Sequence, residues 1–245
     1  MKRTIALLSA LVCLLTACAP APPQGTAPTE SPTIPTEQGS PSSLTADDLI
    51  RYFNEVCLDA EFTNQGDVTL LQKWAQPIVY RIHGEPTDDD LQVLTDFCQW
   101  LNTLEGFPGI SPAKEDALDN MTIFFCTQQD FLGILGDKFA GMDGGVTIWF
   151  DNNQINRATI CYRTDLDQHV RNSVILEEVY NSLGPMQDTA LRSGSIIYSG
   201  FSTPQALTQI DQLILQLLYH PSLTCGMDAV QCEAAIRQLW QTKNS

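Results

Sequence analysis

The chemistry open to this chain centres on Glu177 and Glu178, adjacent carboxylates followed by Asn181, Gln187 and Asp188. All five side chains carry oxygen. On a helix, residues 177 and 181 share a face, because side chains four apart are neighbours. Two carboxylates held together in a shielded place raise each other's pKa or demand a cation. Glu178 is of the right type for a general base acting on water. Oxygen donors of this kind suit Ca²⁺ or Mg²⁺ better than Zn²⁺. The competing structural reading is that both glutamates hydrogen-bond the backbone of the following loop.

The element that positions these residues is a helix predicted from about Gln168 to Leu183 and stopped by Gly184-Pro185. Leu176, Val179, Tyr180 and Leu183 fall on one stripe, which faces the core. Val170, Val174, Glu177, Glu178 and Asn181 fall on the other side. Valines beside two acids do not describe a simple surface. The pattern predicts a second, partly covered face, as on a helix that lines a cleft.

The stretch Glu177 to Asp188 has the spacing of the long zinc-protease signature H-E-x-x-H-x-x-G-x-x-H-D. In this it resembles the metzincins. Glu177, Asn181 and Gln187 stand at the three histidine positions, while Glu178, Gly184 and Asp188 keep the expected type. Ser195-Ile196-Ile197-Tyr198 resembles the Met-turn, with Ile197 where the methionine belongs. Leu207 to Asp211, leading into Leu217-Leu218-Tyr219, resembles the closing helix of that fold. Trp74 and Pro77 to Ile82 suit its first strand, so the likeness runs from about Lys73 to Tyr219. The chain also resembles a bacterial domain-of-unknown-function family of exported lipoproteins. The helix there reads R-N-x-x-I-L-E-E-x-x-x-S-L-G-x-x-x-D, matched here by Arg171, Asn172, Leu176, Glu177, Glu178, Ser182, Leu183, Gly184 and Asp188.

The resemblance implies an α+β, zincin-like fold: a small mixed sheet packed on the signature helix, with further helices after it. It implies a cleft bordered by Glu177, Asn181, Gly184, Gln187, Asp188 and Arg171. With no histidine at the ligand positions, no zinc and no other cofactor is expected. Glu178 occupies the place of the catalytic base, which without a metal faces water of unshifted acidity. Borrowed histidines do not restore a site, since His83, His169 and His220 are the only ones and no two are four apart. A non-catalytic binding pseudo-protease follows, its partner an unknown peptide or envelope component. The alternative is a peptidase or other hydrolase using Glu178 with an atypical metal site.

The amino terminus fixes the expected compartment. Lys2 and Arg3 precede an apolar run from Thr4 to Ala17, too short to span a bilayer and suited to a signal peptide. It ends in Leu15-Thr16-Ala17-Cys18, which resembles a bacterial lipobox. Residues 1–17 are then a signal peptide, and Cys18 carries the lipid that holds the protein to the extracytoplasmic face of the membrane. In a Gram-negative cell this extends to the outer membrane. Residues 18–43 form a tether rich in Pro, Thr and Ser, unable to bury enough surface to fold. Residues 44–245, roughly 200 in all, suffice for one domain.

The whole chain carries a formal charge of −16. Without Lys2 and Arg3 the mature chain reaches −18, from 11 basic and 29 acidic residues. Such a surface repels nucleic acid and anionic headgroups, so neither is an expected partner. After Cys18, six cysteines remain without a C-x-x-C pair, which argues against structural zinc. Cys225 and Cys232, close in sequence, are a candidate disulfide. Cys126 and Cys161 lie in strand-like runs, and buried free thiols are the alternative.

Further helices are predicted over Thr45–Ala60, Thr87–Leu104, Pro204–Tyr219 and Met227–Gln241. Strands are predicted over Pro77–His83, Met121–Cys126, Val146–Phe150 and Gln154–Arg163. Gly141 to Gly145 reads as a flexible turn. Substituting Cys18→Ser is expected to release the protein from the membrane fraction or to leave an uncleaved precursor. Fractionation and migration identical to wild type would rule out the lipid anchor.

Overall fold

The structure is a computed structural model that describes residues 44–58 and 69–243. Residues 1–43, on which the expected signal peptide, lipid-bearing Cys18 and tether fall, lie outside the described residues. The elements follow in the order α1 (Ala46–Leu58), β1 (Lys73–Trp74), β2 (Ile78–Gly84), α2 (Asp88–Leu101), β3 (Ile110–Pro112) and β4 (Met121–Cys126). Then come α3 (Gln128–Leu135), β5 (Gly144–Asp151), β6 (Gln154–Arg163), α4 (Gln168–Ser182), α5 (Gln209–Tyr219) and α6 (Ala229–Lys243). The fold is α+β, with a mixed sheet.

The sheet runs β5-β6-β4-β2-β3, and β1 pairs with the first two residues of β6. Every pairing is parallel except β5 with β6. Parallel neighbours need long crossovers, and α2 supplies one between β2 and β3. The antiparallel pair needs only a hairpin. Asn152 and Asn153 make it, at φ +50° and +61°, the left-handed region that asparagine tolerates. Among the described residues, no strand pairs with the outer edge of β5.

Alternation decides which face each strand buries. In β4, Met121, Ile123 and Phe125 enter the main core while the residues between are half-buried. That core joins one face of the sheet to α1, α2, α4, α5 and α6. On the opposite face α3 covers a smaller cluster of Phe131, Leu135 and Cys161. The sequence pattern did not predict α3, an eight-residue helix that contains Gly133 and is capped by Thr127. The α5 helix starts later than predicted. Thr208 and Asp211 form a reciprocal capping box there, which sets the first turn at Gln209. Gly144 and Gly145 are strand residues and not a flexible turn. A Cβ on Gly144 would strike Val174 and Glu178, and one on Gly145 would strike Phe139 and Leu135.

The six cysteines are free. No Cys225–Cys232 bridge forms, because the two thiols go to different places. The Cys225 thiol donates to the Lys73 carbonyl at 3.6 Å, while Cys232 is fully buried in the core near Cys57. The Cys126 and Cys161 thiols share a hydrogen bond across neighbouring strands.

Two helices are locked by a buried ion pair. Asp90, in the first turn of α2, is fully buried and accepts from Arg171 Nε of α4 at 2.7 Å. Gln168 Nε2 donates to the same oxygen at 2.7 Å, and Thr87 N donates to the other oxygen at 2.8 Å. Arg171 spends its remaining donors on the carbonyls of Thr164 and Leu166 and on Gln168 Oε1. Burial alone would raise the Asp90 carboxyl. The Arg171, Thr87 and Gln168 hydrogen bonds outweigh it and hold the pKa below the ordinary value. Stability from this group is therefore complete above the unfolded pKa of ~4 and lost as pH falls through the lowered value. Removing one partner strands a buried charge. Asp90→Ala should cost ~3–5 kcal/mol in urea unfolding at pH 7, and distinctly less at pH 3.

Candidate functional site

Helix α4 is buried on nearly every side, which explains its lack of a single apolar stripe. Leu176, Val179, Tyr180 and Leu183 enter the main core. Val170, Val174, Glu177, Glu178 and Asn181 line a cleft of about 390 Å³. The start of β5 forms the second wall, through Gly144, Gly145 and Val146. The absent side chain of Gly144 is what lets the Glu178 carboxyl lie against the strand. The mouth is apolar, with Phe139 and Met142 before β5 and Phe201 opposite. Phe201 is 86% exposed.

The segment from Ser195 to Ser202 makes the third wall, and a buried carboxylate holds it. Asp211 Oδ1 accepts from Ser195 Oγ at 2.6 Å, and Oδ2 accepts from Ile196 N at 3.2 Å. Oδ2 also accepts from Thr208 N and Oγ1, at 2.9 and 2.6 Å. Tyr52 of α1 donates to Ser195 Oγ at 2.8 Å. Thr189 N donates to Ile197 O, and Ser199 N donates to Thr189 O, each at 2.9 Å. These bonds tie the loop after α4 to the same turn and place Asp188 on the cleft wall.

The carboxyl end of α4 is fixed as well. Trp74 Nε1 donates to Ser182 O at 2.9 Å, and Tyr219 OH donates to Leu183 O at 2.8 Å. Both satisfy carbonyls that a helix end leaves open. Gly184 follows at φ +133°, packed so closely against the Gln72 carbonyl that a Cβ would stand 2.6 Å from it. No other residue fits that conformation and that space.

The cleft thus collects Glu177, Glu178, Asn181 and Asp188, four of the residues singled out by motif spacing. Gly184 turns the chain beneath it. Gln187, half-buried, does not line it. Arg171 does not line it either, because its guanidinium is consumed by Asp90 and by backbone carbonyls. Spacing did not single out Phe139, Met142 or Phe201. The paired glycines at 144 and 145 were the signal available for the β5 wall, since glycine inside a strand marks close approach.

Electrostatically the site has acceptors and no cation. Glu178 is 8% exposed. Burial first, then the charges of Glu177 and Asp188, push its pKa well above the ordinary carboxylate range. Burial, then Asp188 and Asp143, raise Glu177 to about 8. Asn181 Oδ1 is buried without a hydrogen-bond partner among the described residues. Among the described residues no lysine or arginine lines the cleft, and neither does any of His83, His169 and His220. His83 stacks on Phe124, and His169 contacts Thr203. Zinc prefers nitrogen and sulfur, whereas Glu177 and Asn181 offer oxygen. Among the described residues no three His, Cys, Asp or Glu side chains gather into a metal-holding group.

A glutamate whose folded pKa lies above its unfolded value binds an extra proton between the two. Stability then falls as pH rises through that window and levels off beyond it. Glu177→Gln removes this residue's share of the dependence. The variant should match wild type near pH 4.5 and exceed it by ~1–2 kcal/mol at pH 8.5, a rise of ~2–8 °C in Tm by calorimetry.

No curated protein matches this chain. A family model does match, over residues 46–238, and that span takes in every element that builds the cleft. On that match the chain belongs to the family described as Protein of unknown function (DUF2927).

Proposed function

We propose that this chain is an exported lipoprotein, anchored through Cys18, whose zincin-like domain is a pseudo-protease that binds an extended peptide segment of a partner or envelope component. One observation carries this reading. An open cleft lies beside the unpaired edge of β5, and its floor holds carboxyls and an amide where a zinc protease would hold imidazoles. An exposed strand edge recruits peptides by offering backbone hydrogen bonds, while pockets alongside select side chains. The order of strand, helix, strands, signature helix, turn and closing helix supports the zincin-like part of the proposal. So does the way Asp211, at the start of the closing helix, holds the Ser195–Tyr198 turn.

The anchor rests on the lipobox-like end of the signal segment and on the Pro- and Thr-rich stretch that follows it. Among the described residues no helix is long and apolar enough to cross a membrane.

Two measurements test the proposal. The variant Glu177→His, Asn181→His, Gln187→His should acquire zinc with micromolar or better affinity, on the order of 8 kcal/mol, read by calorimetry. No zinc uptake above wild type by that folded variant would sink the zincin-like reading. Mixed peptides should bind the wild-type chain without being cut, and Ser202→Trp at the cleft mouth should weaken binding at least tenfold. Cleavage abolished by Glu178→Gln would instead establish a hydrolase built on Glu178.

A further inference from the structure

The cleft has a polarity that selects among peptides. Its walls toward the mouth are apolar, formed by Met142, Val170, Val174 and Phe201. Its floor is Glu178, which is more than nine-tenths buried, with Glu177 beside it and Asn181 Oδ1 unpartnered. Asp143 before β5 and Asp188 after α4 face the same space, as does Tyr198 from the turn. Every charged group that faces it among the described residues is acidic. A buried acceptor left without a donor costs free energy, and Asn181 Oδ1 is one among the described residues. The matching ligand group has a positive charge, several N–H donors and a long apolar stem. Lysine and arginine side chains combine these, since their methylenes lie along apolar walls while the head group seeks acceptors.

Resting on the peptide-binding reading above, we infer that this cleft is a specificity pocket for a lysine or arginine side chain of the bound segment, its stem against Val170 and Val174 and its cationic head at Glu177, Glu178 and Asn181. A metal ion matches the cleft less well. Glu177, Glu178 and Asp188 form no metal-holding group, and the apolar mouth offers a metal nothing. A peptide cation satisfies both halves of the cleft. The two glutamates are held toward their protonated form in the free protein, so the incoming cation displaces protons. Binding therefore strengthens as pH rises, and its proton release shows as a buffer-dependent enthalpy.

The test is titration calorimetry on the purified full-length chain with four octapeptides, N-acetylated and C-amidated. They are built of alanine and serine and differ in one central residue: lysine, arginine, norleucine or glutamate. Blocking the termini leaves the central side chain as the only charge. The lysine and arginine peptides should bind at least tenfold more tightly than the norleucine peptide, and the glutamate peptide should be weakest. The preference should widen from pH 6 to pH 8.5. Glu178→Gln should reduce it to about threefold or less and lessen both its widening with pH and the buffer-dependent proton release, two readouts that separate charge recognition from a damaged cleft. Equal affinity for the lysine and norleucine peptides would overturn this inference and leave the peptide-binding reading standing. Failure of all four to bind would overturn both.

Discussion

Arg171 enters the interior at the start of α4 and meets Asp90 at the start of α2, and the geometry of the cleft depends on that meeting. The pair is buried, so neither partner can relax into water if the helices drift apart. The Thr87 capping box makes Asp90 part of the α2 amino terminus, so α4 is registered against the end of a helix rather than along its side. Glu177 and Glu178 lie about two turns further along α4. At the other end Trp74 and Tyr219 grip the last carbonyls. A helix pinned at both ends cannot rotate its carboxyls out to solvent. That constraint lets two glutamates of raised pKa persist where a free helix would turn them outward.

Asp211 performs the matching task for the opposite wall. It caps α5 and at the same time binds the turn that carries Ile196 and Tyr198 toward the cleft. Tyr180 of α4 donates to the Asp211 carbonyl at 3.0 Å, so the two walls share one buried junction. Two acids in this protein, Asp90 and Asp211, are therefore buried and fully satisfied. Glu178, buried, and Glu177, half-buried, face a cleft that no basic side chain lines among the described residues. The contrast argues against indifference to buried charge, because the same fold supplies donors abundantly wherever an acid is structural.

Much of this was legible in the residues. Met121–Cys126 and Gln154–Arg163 read as strands because alternation and β-branched or aromatic content agreed there. The two-sided character of α4 was legible because valines and acids shared a face. The position of Arg171 was not, since a motif arginine beside a cleft and one beneath a neighbouring helix look alike in sequence. Only the packing of α2 across α4 separates them. Leu207, in helical register with Ile210 and Ile214, imitated an extra turn of α5, and the Thr208–Asp211 capping box overrode it. The apolar mouth was illegible because Phe139, Met142 and Phe201 lie far apart in the chain, with no shared periodicity to join them. A disulfide between Cys225 and Cys232 seemed natural from their separation, yet separation along a chain carries no direction, and the thiols face different neighbours.

Glu177 and Glu178 are both held toward their protonated form. A neutral carboxyl donates as well as accepts, so a cleft floored by protonated glutamates presents hydrogen-bonding groups with little net charge. Its acidity is latent and is expressed when a cation arrives to replace the protons. Such a site discriminates twice. An anionic ligand meets Asp143 and Asp188 near the entrance and is repelled. A neutral ligand gains the apolar walls and leaves Asn181 Oδ1 unsatisfied. Only a ligand that brings both a stem and a donor-rich head recovers the free energy that burial of Glu177 and Glu178 has withheld from the folded chain.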